Sequence, residues 1–303
     1  MKMKQLTAGM IALVMSMSLP MTTYAADWYL EDGNVTVDAG DSGQTVTQGS
    51  NPAVQDEAPV ITQSSAETSN TITINASENA TANVTIKDIN IKSSNDAIDV
   101  TGSSSANITL EGDNKIFSET GSALHISDGN VTINGSGALK AEIQDDPGSD
   151  YNHNAKIGSH ENEDMSGSIH ITGDATVKTD DNTASDCEGD GAGIGSGEYG
   201  EMSGNIVIDG NAQVEVSSND RGAGIGTGDG GNLSGNIMIG GNAQQPVLKT
   251  ARVSAPEMTA ISKAVSPLME TQRLLPKQAE ITMVLTAPVS VLETKGNLPG
   301  QLP

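Results

Sequence analysis

The sequence predicts an all-β chain built as a parallel β-helix, a solenoid followed by a non-solenoid C-terminal tail, and three observations lead there. A short module recurs three times: Ala155-Lys156-Ile157-Gly158-Ser159, Ala192-Gly193-Ile194-Gly195-Ser196 and Ala223-Gly224-Ile225-Gly226-Thr227. Its central Ile residues lie 37 and 31 residues apart, a period that belongs to stacked supersecondary units. At a fixed distance after each Ile comes one phrase: Met165-Ser166-Gly167-Ser168-Ile169-His170-Ile171, Met202-Ser203-Gly204-Asn205-Ile206-Val207-Ile208 and Leu233-Ser234-Gly235-Asn236-Ile237-Met238-Ile239. Apolar residues alternate within each phrase, which is the period of a strand.

Taken in chain order, residues 1–25 read as a secretory signal. Lys2 and Lys4 precede an apolar stretch over 8–19, and Thr23-Tyr24-Ala25 offers small residues for cleavage after Ala25 or Ala26. No second apolar run follows, so no membrane insertion is expected after cleavage. Residues 26–65 form an N-terminal lead-in strand or cap. The helix proper spans 66–243, with Ile72-Thr73-Ile74 beginning the stack. Looser strand phrases follow at Val84-Thr85-Ile86, Ile108-Thr109-Leu110 and Val131-Thr132-Ile133, spaced by 24 and 23 residues. The first two are followed by second strands, Ala97-Ile98-Asp99-Val100 and Ala123-Leu124-His125-Ile126. Such a length suits one coil of short strands paired about 4.8 Å from its neighbours, and five to seven coils are expected. Ile157, Ile194 and Ile225 should stack in one column, and Met165, Met202 and Leu233 in another. A β-sandwich would need hairpin turns and would not require matching residues at stacked positions.

Insertions lengthen the later coils at one corner, over 144–154 and 178–191, and bring in Asp145, Asp146, Asp150, Asp180, Asp181, Asp186, Glu188 and Asp190. Stacked insertions build a wall beside one face, a frequent border of a binding groove. The tail, 244–303, contains no Asp and is interrupted by Pro246, Pro256, Pro267, Pro276 and Pro288, so it reads as a helical or disordered appendage.

A net charge of −24 argues against nucleic acid or an anionic membrane as partner. The one cysteine, Cys187, excludes an intramolecular disulfide. Aligning the three loops between Ile-Gly and Met-Ser-Gly places Glu161, Glu198 and Asp229 in one column and Asp164, Glu201 and Asn232 in a second. Like charges one strand spacing apart repel by about 1 kcal/mol in water and about 3–4 at an effective dielectric of 20. Either solvent separates them or a cation does. Calcium, with six to eight oxygen ligands, suits such a ladder, so Glu161, Asp164, Glu198, Glu201 and Asp229, with Asp186, Glu188 and Asp190, are the candidate metal ligands.

No catalytic residue is assigned. A lyase would need a basic residue near bound cation, and Arg221 and Lys156 flank the acidic region, where surface ion pairing is the simpler role. The four histidines share no metal-ligand spacing. Aromatic residues are 2% of the chain, and of those left after the signal Tyr151 and Tyr199 fall in the loops and are the candidates for stacking on a sugar ring.

The phrases Asp96-Ala97-Ile98-Asp99-Val100, Asn107-Ile108-Thr109-Leu110-Glu111-Gly112-Asp113-Asn114 and Gly191-Ala192-Gly193-Ile194-Gly195 resemble those of secreted carbohydrate-binding β-helix repeat proteins of clostridia and related Gram-positive bacteria. The resemblance implies a right-handed helix, calcium ions, and binding of cell-wall or acidic polysaccharide without cleavage. It carries over no individual ligand residue. The expectation is a monomeric, non-catalytic polysaccharide-binding protein, secreted or held at the bacterial cell surface, with calcium bridging its acidic face to the glycan. A β-helix polysaccharide lyase or hydrolase, and a structural stalk or adhesin, are the alternatives.

Overall fold

The computed structural model describes residues 26–64, 66–101, 103, 105–144, 152–179, 189–218 and 221–248. Residues 1–25, Tyr151, the insertion with Asp186, Cys187 and Glu188, and residues 249–303 lie outside the described residues. From Thr81 onward the chain visits three parallel sheets in strict rotation. The first sheet holds Thr81–Lys87, Ser105–Glu111, Asn130–Gly135, Ser168–Ile171, Ile206–Ile208 and Ile237–Ile239. The second holds Asn90–Ser93, Asp113–Ser118, Ala138–Ile143, Thr176–Thr179, Gln213–Val216 and Gln244–Leu248. The third holds Ile98–Thr101, Leu124–Ile126, Ile157–Gly158, Ile194–Gly195 and Ile225–Gly226. This is the parallel β-helix that the repeats predict.

Inward columns follow the repeats. Ile157 pairs with Ile194 and Ile194 with Ile225, while Met165 bridges to Met202 and Met202 to Leu233. Side chains alternate across a strand, so every second residue enters the core. Val84, Ile108, Ile133, Ile171 and Ile208 form one such buried column. Here the register corrects the simple spacing: Ile108 faces Ile133 and not Val131, because the coil holds two more residues than the phrases suggest. A two-residue shift keeps the same face inward, which is why the sequence pattern hides it.

Stacking also begins earlier and ends later than the repeats indicate. Val35–Gly40 pairs in parallel with Ile72–Ala76, and Asp27–Tyr29 with Val60–Thr62, so strands of the lead-in already stack in parallel on the coils. The antiparallel strands Gly43–Gln48 and Val54–Gln55 then extend the third sheet at its N-terminal end. At the other end Gln244–Leu248, within the predicted tail, adds a strand beside Gln213–Val216 with a shifted register.

Candidate functional site

Among the described residues, the outer face of the second sheet carries four lysines, Lys92, Lys115, Lys140 and Lys178. Alternation turns Lys115 outward, and the register sets it between Asn90 and Lys140; Lys140 in turn faces Lys178, and Lys178 faces Glu215. In the next outward column stand Lys92, Phe117 and Glu142. The Lys92 ammonium sits 5.5 Å from the Phe117 ring centroid. Lys140 pairs with Glu142 at 2.8 Å and Lys178 with Glu215 at 3.0 Å. Three ammonium groups therefore rise one per coil, at a mutual cost of about 1 kcal/mol per neighbour in water. Beside them is a shallow groove of about 350 Å³ lined by Asn90, Asp113, Asn114, Lys115, Lys140 and Lys178. A line of cations next to an aromatic face can hold carboxylates and the apolar face of a sugar ring together.

The third sheet narrows to two-residue strands because the chain turns back at once. Ala155 donates its N–H to the Ser159 carbonyl, as Ala192 does to Ser196 and Ala223 to Thr227. Gly158 and Gly195 have φ of 138° and 141°, and a Cβ at either would collide with the carbonyl oxygen of the glycine in the next coil. The following loops share a left-handed residue: Asn162 at 58°, Tyr199 at 59° and Gly230 at 74°. Asn and Gly take this conformation readily and tyrosine does not. The predicted platform Tyr199 is thus held in a costly backbone state and is 57% exposed. The neighbouring Glu198 carboxylate pushes the phenol's pKa up.

The predicted acidic columns stack in register, with Asn162 N–H on the Glu198 carbonyl and Tyr199 N–H on the Asp229 carbonyl. Their side chains nevertheless part. Glu161 is exposed and accepts from Asn162. Glu198 is buried, with its Oε2 2.7 Å from His153 Nδ1, and Asp229 faces Arg221 at 3.6 Å. In the second column Asp164 accepts the Glu201 N–H, and Glu201 accepts from the Asn232 amide. Hydrogen bonds or ion pairs within the chain engage each of these carboxylates.

Two other groups do bring potential ligand atoms within 4.8 Å of one another: His153 with Asp190 and Glu198, and Asp96 with His125 and His160. Asp190 and Glu198 were legible as acidic; His153 was not, because it sits in the preceding coil. Asp190 is 2% exposed, and burial pushes its pKa up against the pull of Arg221, whose guanidinium is 3.3 Å from Oδ2.

In the second group the rings of His125 and His160 stack at 4.0 Å, 6° from parallel. His125 Nδ1 meets Asp99 at 2.8 Å and Nε2 meets Glu163 at 2.9 Å, while His160 Nε2 meets Asp96 at 2.8 Å. Burial alone would disfavour the imidazolium, but the hydrogen bonds to Asp99 and Glu163 and the surrounding negative charge outweigh it and raise His125 to about 10. The same hydrogen bond from His125 lowers Glu163 to about 2, against its own burial. A general acid or base works best with a pKa near the working pH, so this pair is built as a fixed ion pair.

Of the two expected basic residues, Lys156 is not on the surface. It is 2% exposed and its Nζ donates to the Ser217 carbonyl at 3.0 Å. Arg221 contacts both Asp190 and Asp229. Of the other candidates, Tyr151, Asp186 and Glu188 lie outside the described residues. No family model, curated protein or solved structure matches the chain.

Proposed function

We propose that this chain is an exported, non-catalytic β-helix that binds an acidic polysaccharide along the outer face of its second sheet. One observation carries the reading: Lys115, Lys140 and Lys178 form a single column beside Phe117 on a chain of net charge −24. Sugar carboxylates would meet the ammonium groups, exchanging with Glu142 and Glu215, and a ring face would lie on Phe117. Compositional reasoning required calcium to overcome repulsion between an acidic chain and an acidic glycan. On this face the lysines supply that positive charge, so binding here is proposed to need no added cation. The test is retention of the full chain on pectin-type and neutral polysaccharides, with chelator and with rising salt. Chelator-resistant, salt-sensitive retention on the acidic polymer alone supports the reading, and equal retention on both polymers, or release of sugar from either, contradicts it.

A second contact is favoured by Tyr199, an exposed ring kept in a left-handed backbone where the neighbouring coils use Asn and Gly. Strain held at an exposed aromatic residue is a pointer to ligand contact. Retention on the acidic polymer weakened by Tyr199→Asn would place a stacking contact at this corner, and retention unchanged by that substitution would remove it.

A further inference from the structure

The corner that holds Tyr199 contains donor atoms whose pairing is incomplete. Asp190 gives Oδ2 to Arg221, while its Oδ1 is buried without a hydrogen-bond partner. His153 Nδ1 lies 2.7 Å from Glu198 Oε2, yet the two are not aligned for a hydrogen bond, and this nitrogen too is buried without one. A buried carboxylate oxygen left unpaired is costly, and a buried charge is normally paired or bound to metal. From these atoms we infer that His153, Asp190 and Glu198 form a site for one divalent cation of the zinc class.

The donor set decides the class of ion. Calcium and magnesium take oxygen ligands, whereas an imidazole nitrogen with two carboxylates suits zinc and its first-row neighbours. The surroundings suit ligands held in place. Arg221 bridges Asp190 to Asp229, the kind of outer support that orients a metal-binding carboxylate. His153 and Asp190 precede the Ile157 and Ile194 strands of successive coils, and Glu198 follows the second of them. A bound ion would therefore tie two coils together and join the two sides of the corner. It binds the folded chain and so raises its Tm. The inference stands apart from the polysaccharide reading, since it uses no residue of the lysine face.

The test is calorimetric titration of ZnCl₂ into the chelator-treated, dialysed full chain, with CaCl₂ as comparison and Tm followed in parallel. One equivalent of zinc should bind with a rise in Tm, and its affinity should fall at least tenfold in both His153→Gln and Asp190→Asn. It should be unchanged in His160→Gln, which alters the other histidine group. Absence of zinc heat and thermal shift in the unsubstituted chain would overturn the inference. So would zinc binding that survives both substitutions, or that is lost only in His160→Gln. Far-UV circular dichroism and the apo Tm identify a misfolded variant, and Glu198→Gln, which keeps the side chain's size and its polar end, then takes its place.

Discussion

Tyr199 repeats, one coil on, the left-handed backbone of Asn162: φ is 59° against 58°. The backbone course is therefore dictated by the repeat, and the tyrosine is accommodated at a cost. For an ordinary L-residue that cost is about 1–2 kcal/mol, less for Asn. Tyr199→Asn is expected to stabilise the chain by up to about 1 kcal/mol. Chemical denaturation checks this, and a clear loss of stability would show that the ring contributes more packing than its exposure indicates.

Gly158 and Gly195 admit no side chain, since a Cβ at either would fall on the carbonyl oxygen of the next coil's glycine. Gly195→Ala would drive a Cβ into the Gly226 carbonyl at a φ that alanine resists, and should destabilise by roughly 3 kcal/mol or more. Gly240, with open space where its Cβ would be, serves as control: Gly240→Ala should stay within about 0.5 kcal/mol. Urea midpoints of the two variants compare the sites directly.

The His125 ion pair makes stability depend on pH at both ends. His125 is raised from 6.5 to about 10, so its contribution is complete below pH 6.5 and disappears as pH climbs through about 10. Glu163 is lowered from 4.5 to about 2, so its contribution is complete above pH 4.5 and disappears as pH falls through about 2. Tm should therefore be flat between these limits and decline outside them. His125→Gln should lower the plateau and flatten the alkaline decline between pH 6.5 and 10; identical profiles for the two proteins would contradict the assignment.

Lys156 occupies the column position of Ala97, Ala123 and Gly193, all small and inward. The whole side chain is buried, and its Nζ reaches the Ser217 carbonyl. Lys156→Ala should cost about 2–5 kcal/mol, as for emptying an aliphatic core site, while leaving polysaccharide retention unchanged. A variant of full stability would show that the stem does not pack as described.

Identical residues at stacked positions made the fold legible. Ile157, Ile194 and Ile225, and Met165, Met202 and Leu233, are pairs that the alignment alone predicts. The lysine column was not legible, since the insertion between Lys140 and Lys178 breaks the spacing and only the strand register restores it. Phe117 lies within a strand and not in the loops where the stacking candidates fall. The acidic columns were aligned correctly, but which way each carboxylate turns depends on His153 and Arg221, which no local pattern connects to them. Lys156 shares its motif with glycines, and its burial becomes visible only when the coils are stacked.

The most direct measurement is affinity electrophoresis of the full chain through pectin-type acidic polysaccharide in chelator, beside the Lys115→Ser/Lys140→Ser/Lys178→Ser triple variant. The account expects strong retardation that weakens with salt, and at least a tenfold loss of affinity in the triple variant with little change in Tm, because these side chains lie on the outer face. Equal retardation of the two proteins, or retardation that appears only with added calcium, would contradict it.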